Sequence, residues 1–155
     1  MPLSEAFDTA TRHHQAGRLE EAGKIYRQIL QAEPNNAQAL HRLGRVAMEA
    51  GKHEAAVALI GRAIAADSAR AVFHVSLGET LARAGQIDEA IAAHQQALAI
   101  DPQLSAAHTQ LGLIAHARHD HAGAEACFRR AAELSPAEPQ VHATVGRALY
   151  DQRRL

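Results

Sequence analysis

The chain has 155 residues, with 16 Lys+Arg against 17 Asp+Glu, so it fits one soluble domain and carries no strong field of either sign. Lysine occurs only as Lys24 and Lys52, a composition that leaves nucleic acid without its usual cationic footprint. No apolar run approaches the ~18 residues of a membrane span. The first fifteen residues lack a basic-then-apolar leader, and the single Cys127 provides neither a disulfide nor the thiolates of a zinc module. These features read as a cytoplasmic protein with no cofactor, no membrane partner and no nucleic-acid partner.

Alanine supplies 36 of the 155 residues, while Phe, Tyr and Trp together make up 3%. A core so poor in large side chains has to be built from closely approaching helices. The chain repeats itself. Leu43-Gly44, Leu77-Gly78, Leu111-Gly112 and Val145-Gly146 recur every 34 residues, as do Ala22, Ala56, Ala90 and Ala124. Four residues after each alanine stand Tyr26, Ile60, His94 and Phe128. Pro34, Pro102 and Pro136 keep the same step, with Ser68 in the remaining place, and Gly17, Gly51 and Gly85 are followed by His119.

This register predicts one domain, 1–155, of four units at 3–36, 37–70, 71–104 and 105–138 and a half unit at 139–155. Each unit reads as two helices. In the second, Asn36 is a good N-cap after a proline, Leu40, Leu43, Gly44 and Ala47 form one stripe, and Gly51 ends the helix. Its second helix opens near His53, carries Ala56, Leu59, Ile60, Ala63 and Ile64 at three-and-four spacing, and ends at Asp67-Ser68. Gln86-Ile87-Asp88-Glu89 opens the corresponding helix of the third unit, and Asp101-Pro102 closes it. Gly44, Gly78 and Gly112, set against Ala56, Ala90 and Ala124, predict paired axes near the low end of the ~8–10 Å range. The half unit has an apolar stripe, Val141, Val145, Gly146 and Leu149, with no second helix to cover it. Three outcomes stay open: a terminal cap, pairing with another copy, or continuation into a longer protein.

The period, the Leu-Gly pairs, the alanines and the prolines make the chain resemble an array of tetratricopeptide repeats across essentially 3–155. Departures fall at the large aromatics. The family's first Trp place holds Ala6, Leu40, His74, His108 and His142, and its first Tyr place holds His13, Ala47, Leu81, Ala115 and Leu149. The first unit, with Thr9-Ala10 for Leu-Gly, is the weakest match, as suits a terminal repeat. The resemblance implies an all-α, right-handed α-solenoid of helix-turn-helix repeats, four full repeats plus one extra helix. Its first helices would line a concave groove that holds a peptide or a partner helix.

Carried over residue by residue, the groove-facing places include His41, Arg42, Arg45, Met48 and Glu49 in the second unit, and Val75, Glu79 and Arg83 in the third. Thr109, Gln110, Leu113 and His116 follow in the fourth. His41, Arg42 and Arg45 share one helix face, so their donors could converge on a carboxylate or phosphate. The alternative is that Arg42 and Arg45 pair with Glu49 and Glu79, worth ~0–1 kcal/mol if exposed. The run Arg18-Leu19-Glu20-Glu21-Ala22 followed by Ile25-Tyr26-Arg27-Gln28-Ile29-Leu30 also resembles arrays that precede glycosyltransferase or sulfotransferase domains in bacterial proteins.

Eleven histidines raise the question of chemistry. His116, His119 and His121, with Asp120, are the best candidate zinc ligands, but His119 and His121 belong to the inter-helix turn while His116 points toward the groove. His74, His108 and His142 recur at repeat spacing, either as a pH-sensitive stack or as small planar replacements for a wedged aromatic, the simpler reading. Cys127 fits a small core residue. The sequence therefore leads to a non-catalytic protein-interaction scaffold, with the substrate-recognition arm of a bacterial transferase as the alternative and self-association through the terminal helix as a further partner.

Overall fold

The computed structural model describes residues 1–137 together with Ala143, Gly146, Arg147 and Tyr150. The described residues form eight helices and no strand: α1 Leu3–Gln15, α2 Leu19–Ala32, α3 Ala37–Glu49, α4 His53–Ala66, α5 Ala71–Arg83, α6 Ile87–Ile100, α7 Ser105–Ala117 and α8 His121–Leu134. Helices pair in order as antiparallel hairpins, and each second helix also packs on the next first helix, α2 on α3, α4 on α5 and α6 on α7. The result is an all-α repeat stack whose core is a series of junctions. The half-unit residues Val141, His142, Val145 and Leu149 lie outside the described residues.

Within each hairpin the repeating glycine meets a large side chain. A Cβ added to Gly44 would fall 2.6 Å from Ile60 Cγ1, one on Gly78 would fall 2.5 Å from the His94 ring, and one on Gly112 would fall 2.7 Å from the Phe128 ring. This changes the role expected for the glycines. They do not chiefly nest against Ala56, Ala90 and Ala124, although all three alanines are fully buried. They make room for the bulky residue one turn farther along, because a flat glycine surface lets a ring or a branched chain lie on the backbone. In the first hairpin Ala10 takes the glycine's place beside Tyr26, and both are fully buried. Burying an apolar side chain such as Ile60 or Phe128 contributes roughly 1.5–3 kcal/mol. His94 differs from its counterparts, for neither of its ring nitrogens has a hydrogen-bond partner.

The turns inside the hairpins are equally uniform. Gly17, Gly51, Gly85 and His119 all take positive φ, at 75°, 79°, 82° and 62°. In each case the next residue's N–H reaches back five residues: Arg18 to the His13 carbonyl, Lys52 to Ala47, Gln86 to Leu81 and Asp120 to Ala115, all at 2.8–2.9 Å. This closure satisfies carbonyls left open at a helix end. Between hairpins, short polar side chains take over. Asn36 Oδ1 accepts from the Ala39 N–H at 2.9 Å to cap α3, and Asp101 Oδ1 accepts from the Gln103 N–H at 3.0 Å after α6.

Two substitutions test this construction. Gly78→Leu drives a side chain into the buried His94 ring and is expected to lower stability by about 1–3 kcal/mol or more, seen as a lower midpoint in thermal melts. His119→Gly relieves the only left-handed non-glycine residue among those described. It should raise the melting midpoint by the equivalent of about 1 kcal/mol.

Candidate functional site

The first helices α1, α3, α5 and α7 stand in a row, and polar side chains tie each to the next. His14 Nε2 and Glu49 Oε1 lie 2.9 Å apart, joining α1 to α3. His41 Nε2 and the Ser76 hydroxyl lie 2.7 Å apart, joining α3 to α5. Gln110 Nε2 donates to Glu79 Oε1 at 3.2 Å, joining α5 to α7. Repeat stacking alone places these partners, since residues near one repeat length apart occupy adjacent helices.

The expected site residues divide into wall and surface. His41, Met48 and Val75 are buried. Met48 packs with Ala47 and Ala56, and Val75 with Ala97 and Ala107. The His41 ring also stacks on Phe73 with centroids 4.6 Å apart. Its pKa is pushed down to about 4, first by burial and then by the charges of Arg45, Arg42 and Arg70. A neutral imidazole bonded to Ser76 is withdrawn from the three-residue anion set that its helix face suggested.

Arg42, Arg45, Glu79, Thr109, Gln110 and His116 are half-buried, while Glu49, Arg83 and Leu113 are exposed. Thr109 spends its hydroxyl on the Ser105 carbonyl at 3.0 Å. Glu49 is engaged by His14, and no described ion pair joins Arg42 or Arg45 to Glu49 or Glu79. Arg45 Nε is shut off from solvent without a hydrogen-bond partner. Burial pushes the Glu79 carboxyl up, and the charges of Arg45 and Arg83 pull it back. Glu79, Ala82, Arg83 and Gln110 line an open recess of 350 Å³. Two cations, Arg45 and Arg83, thus act electrostatically on one carboxylate, Glu79, in the middle of the row.

Among the described residues, no group of three or more His, Cys, Asp or Glu side chains is placed to hold a metal ion. The rings of His116 and His121 are 6.1 Å apart, and those of His119 and His121 are 6.2 Å apart, edge to face. His74 is half-buried, with its pKa lowered by burial and partly restored by a backbone hydrogen bond at Ser68. His108 Nε2 donates to the Pro102 carbonyl at 3.2 Å. These two rings sit at repeat junctions with their polar edges on the preceding loop. The half-buried Cys127 thiol is pushed up by burial and by Asp120. No described helix is long and apolar enough to cross a membrane.

Three family models match in succession: tetratricopeptide repeat over 13–77, TPR repeat over 78–118 and tetratricopeptide repeat over 105–138. The chain belongs to the tetratricopeptide repeat family. Solved structures agree with this fold. A thermophilic TPR protein of Thermus thermophilus superposes with a TM-score of 0.87 at 18% identity, covering 96% of this chain and 82% of that one. MamA gives 0.76 at 22% identity, over 98% of this chain and 85% of that one. The Thermobaculum terrenum O-GlcNAc transferase gives 0.75 at 29% identity, over 82% of this chain and 26% of that one. Comparison with curated proteins finds no match.

Sequence reasoning missed the bonds between first helices and the burial of His41. Its available signal was the spacing of 35 residues, one repeat plus one, that separates His14 from Glu49 and His41 from Ser76. Both His41 and the fully buried His94 are held neutral by burial, each with a pKa of about 4. An unfolded chain protonates them near ~6.5. Between those values the unfolded form binds more protons, so stability falls as pH drops through the window and is level above it. Each histidine is worth roughly 3 kcal/mol when the window is fully crossed. Thermal melts should therefore show a flat midpoint above about pH 6.5 and a decline toward pH 4. His94→Phe, which copies Phe128, should gain more at the acid end than at neutral pH.

Proposed function

We propose that this repeat array is a non-catalytic protein-interaction scaffold that holds an extended peptide or a partner helix along its row of first helices. The observation carrying this reading is the Arg45–Glu79–Arg83 cluster. The charges of Arg45 and Arg83 both act on the one half-buried Glu79 carboxylate, and Arg83 lines the same recess as Glu79. Two guanidinium charges against one carboxylate leave net positive charge that an acidic side chain of a ligand would meet. Arg42, Glu49, Thr109, Gln110, Leu113 and His116 extend the contact surface on either side, while His41, Met48 and Val75 hold the wall behind it. The exposed Val72 and Leu113 add apolar contact. In this reading residues 1–155 act as one array, with repeats 3–36, 37–70, 71–104 and 105–138.

A second reading has a specific observation in its favour. At 29% identity the match to the Thermobaculum terrenum O-GlcNAc transferase covers 82% of this chain but 26% of that protein. The array would then present substrates to a transferase catalytic domain, and the proteins it retains would share one modification. Affinity capture from a cell extract tests both readings. The wild type should retain a defined set of partners that an Arg42→Ala/Arg45→Ala variant of equal thermal stability loses. Equal recovery of every partner by the two proteins removes the arginine contact from the function, and a shared sugar modification across the retained set favours the transferase arm.

A further inference from the structure

The opposite side of the array carries a second recess. Between α2 and α4, over α3, an open trough of 710 Å³ has Leu43, Val46 and Ala47 as its floor. Leu19 and Gly23 form one wall, and Ala55 and Leu59 form the other. One repeat farther on, Gly23 and Ala47 are replaced by Val57 and Leu81, and those two side chains pack into one apolar cluster. Between α6 and α8 the corresponding recess measures 280 Å³, and Arg118 on its rim is tied to Asp88 at 3.0 Å. Small residues keep the first trough open.

The rim of that trough has its own charge pattern. Arg27, Lys52 and Glu20 stand around it. Glu20 is already paired with Lys24 at 3.0 Å, and no described ion pair includes Arg27 or Lys52. The Glu20 carboxyl is held below its usual range chiefly by its hydrogen bond to Lys24, with Arg27 and Lys52 adding to the field. The lining thus carries two cations, Arg27 and Lys52, beside an apolar floor, and its one carboxylate is already paired outside it with Lys24. The lining residues run from Leu19 to Arg27 along α2, a length of about 12 Å or two helical turns, and from Lys52, just before α4, to Leu59 on it.

We infer that this trough docks an acidic amphipathic helix of a partner protein. Two turns match apolar anchors at i, i+3 or i+4, and i+7 on such a helix. Glutamates flanking those anchors would meet Arg27 and Lys52. A trough open along its length suits a helix better than an acyl chain, which needs to be enclosed. The site shares α3 with the row of first helices but none of the residues proposed to contact a ligand there, and it does not rest on the function proposed for that row.

The test uses the full chain and a labelled helical peptide with Leu at i, i+3, i+4 and i+7 and Glu on both flanks, titrated by fluorescence polarisation. Gly23→Val/Ala47→Leu fills the trough by copying Val57 and Leu81. The nearest atom to a Cβ on Gly23 is in the Arg27 guanidinium, the far end of a long side chain, at 3.4 Å, so Gly23→Val alone serves if the double variant melts early. Filling should weaken binding on the order of tenfold or more. Arg27→Glu/Lys52→Glu should weaken the Glu peptide and admit its Lys counterpart, and the loss on filling should persist in an Arg42→Ala/Arg45→Ala background. The inference is overturned if wild type binds the Glu and Lys peptides alike, or if the filled protein binds as well as wild type. Complete loss of binding in the Arg42→Ala/Arg45→Ala variant with the trough intact, or dodecanoate binding in place of the peptide, would overturn it as well.

Discussion

The contact on which the structure depends is a glycine backbone laid against a large side chain. Gly44 under Ile60, Gly78 under His94 and Gly112 under Phe128 bring paired helices together where almost any other residue would hold them apart. With only 3% aromatic residues, the chain cannot fill wide gaps between helices. Its solution is to narrow the gaps, so that one bulky group per hairpin suffices and fully buried alanines close the rest. Each hairpin then exposes apolar faces that only the next hairpin covers, and the stack follows from that need.

The same stacking creates the polar row. Once hairpins repeat in register, side chains near one repeat length apart face each other on neighbouring first helices, and His14–Glu49, His41–Ser76 and Glu79–Gln110 become bonds. Such bonds divide the row into side chains that hold it together and side chains that do not. His41 falls in the first group because burial among arginines keeps it neutral and bonded to Ser76. Arg45 falls in the second, for its Nε has no hydrogen-bond partner while Glu49 is bonded to His14 and Glu79 to Gln110.

On the second-helix side, the repeats share a backbone and differ in what they fill. Gly23 and Ala47 leave a trough where Val57 and Leu81 close one, although the helices around them are laid out alike. The repeat frame is therefore tolerant of large and small residues at these places. A recess there is a property of individual residues and can be gained or lost without disturbing the stack.

From sequence alone came the period, the paired helices, the glycine turns with His119 as the exception, and the family, because each is written in residue type at a fixed spacing. Backbone geometry of that kind is local, and a single chain position announces it. Tertiary structure alone decided that the glycines serve Ile60, His94 and Phe128 more than the alanines, that His41 turns inward to Ser76, and that α2 and α4 enclose a cationic trough. Those facts depend on which side chains from separate helices arrive at the same point. Packing fixes such meetings only after the repeats have stacked.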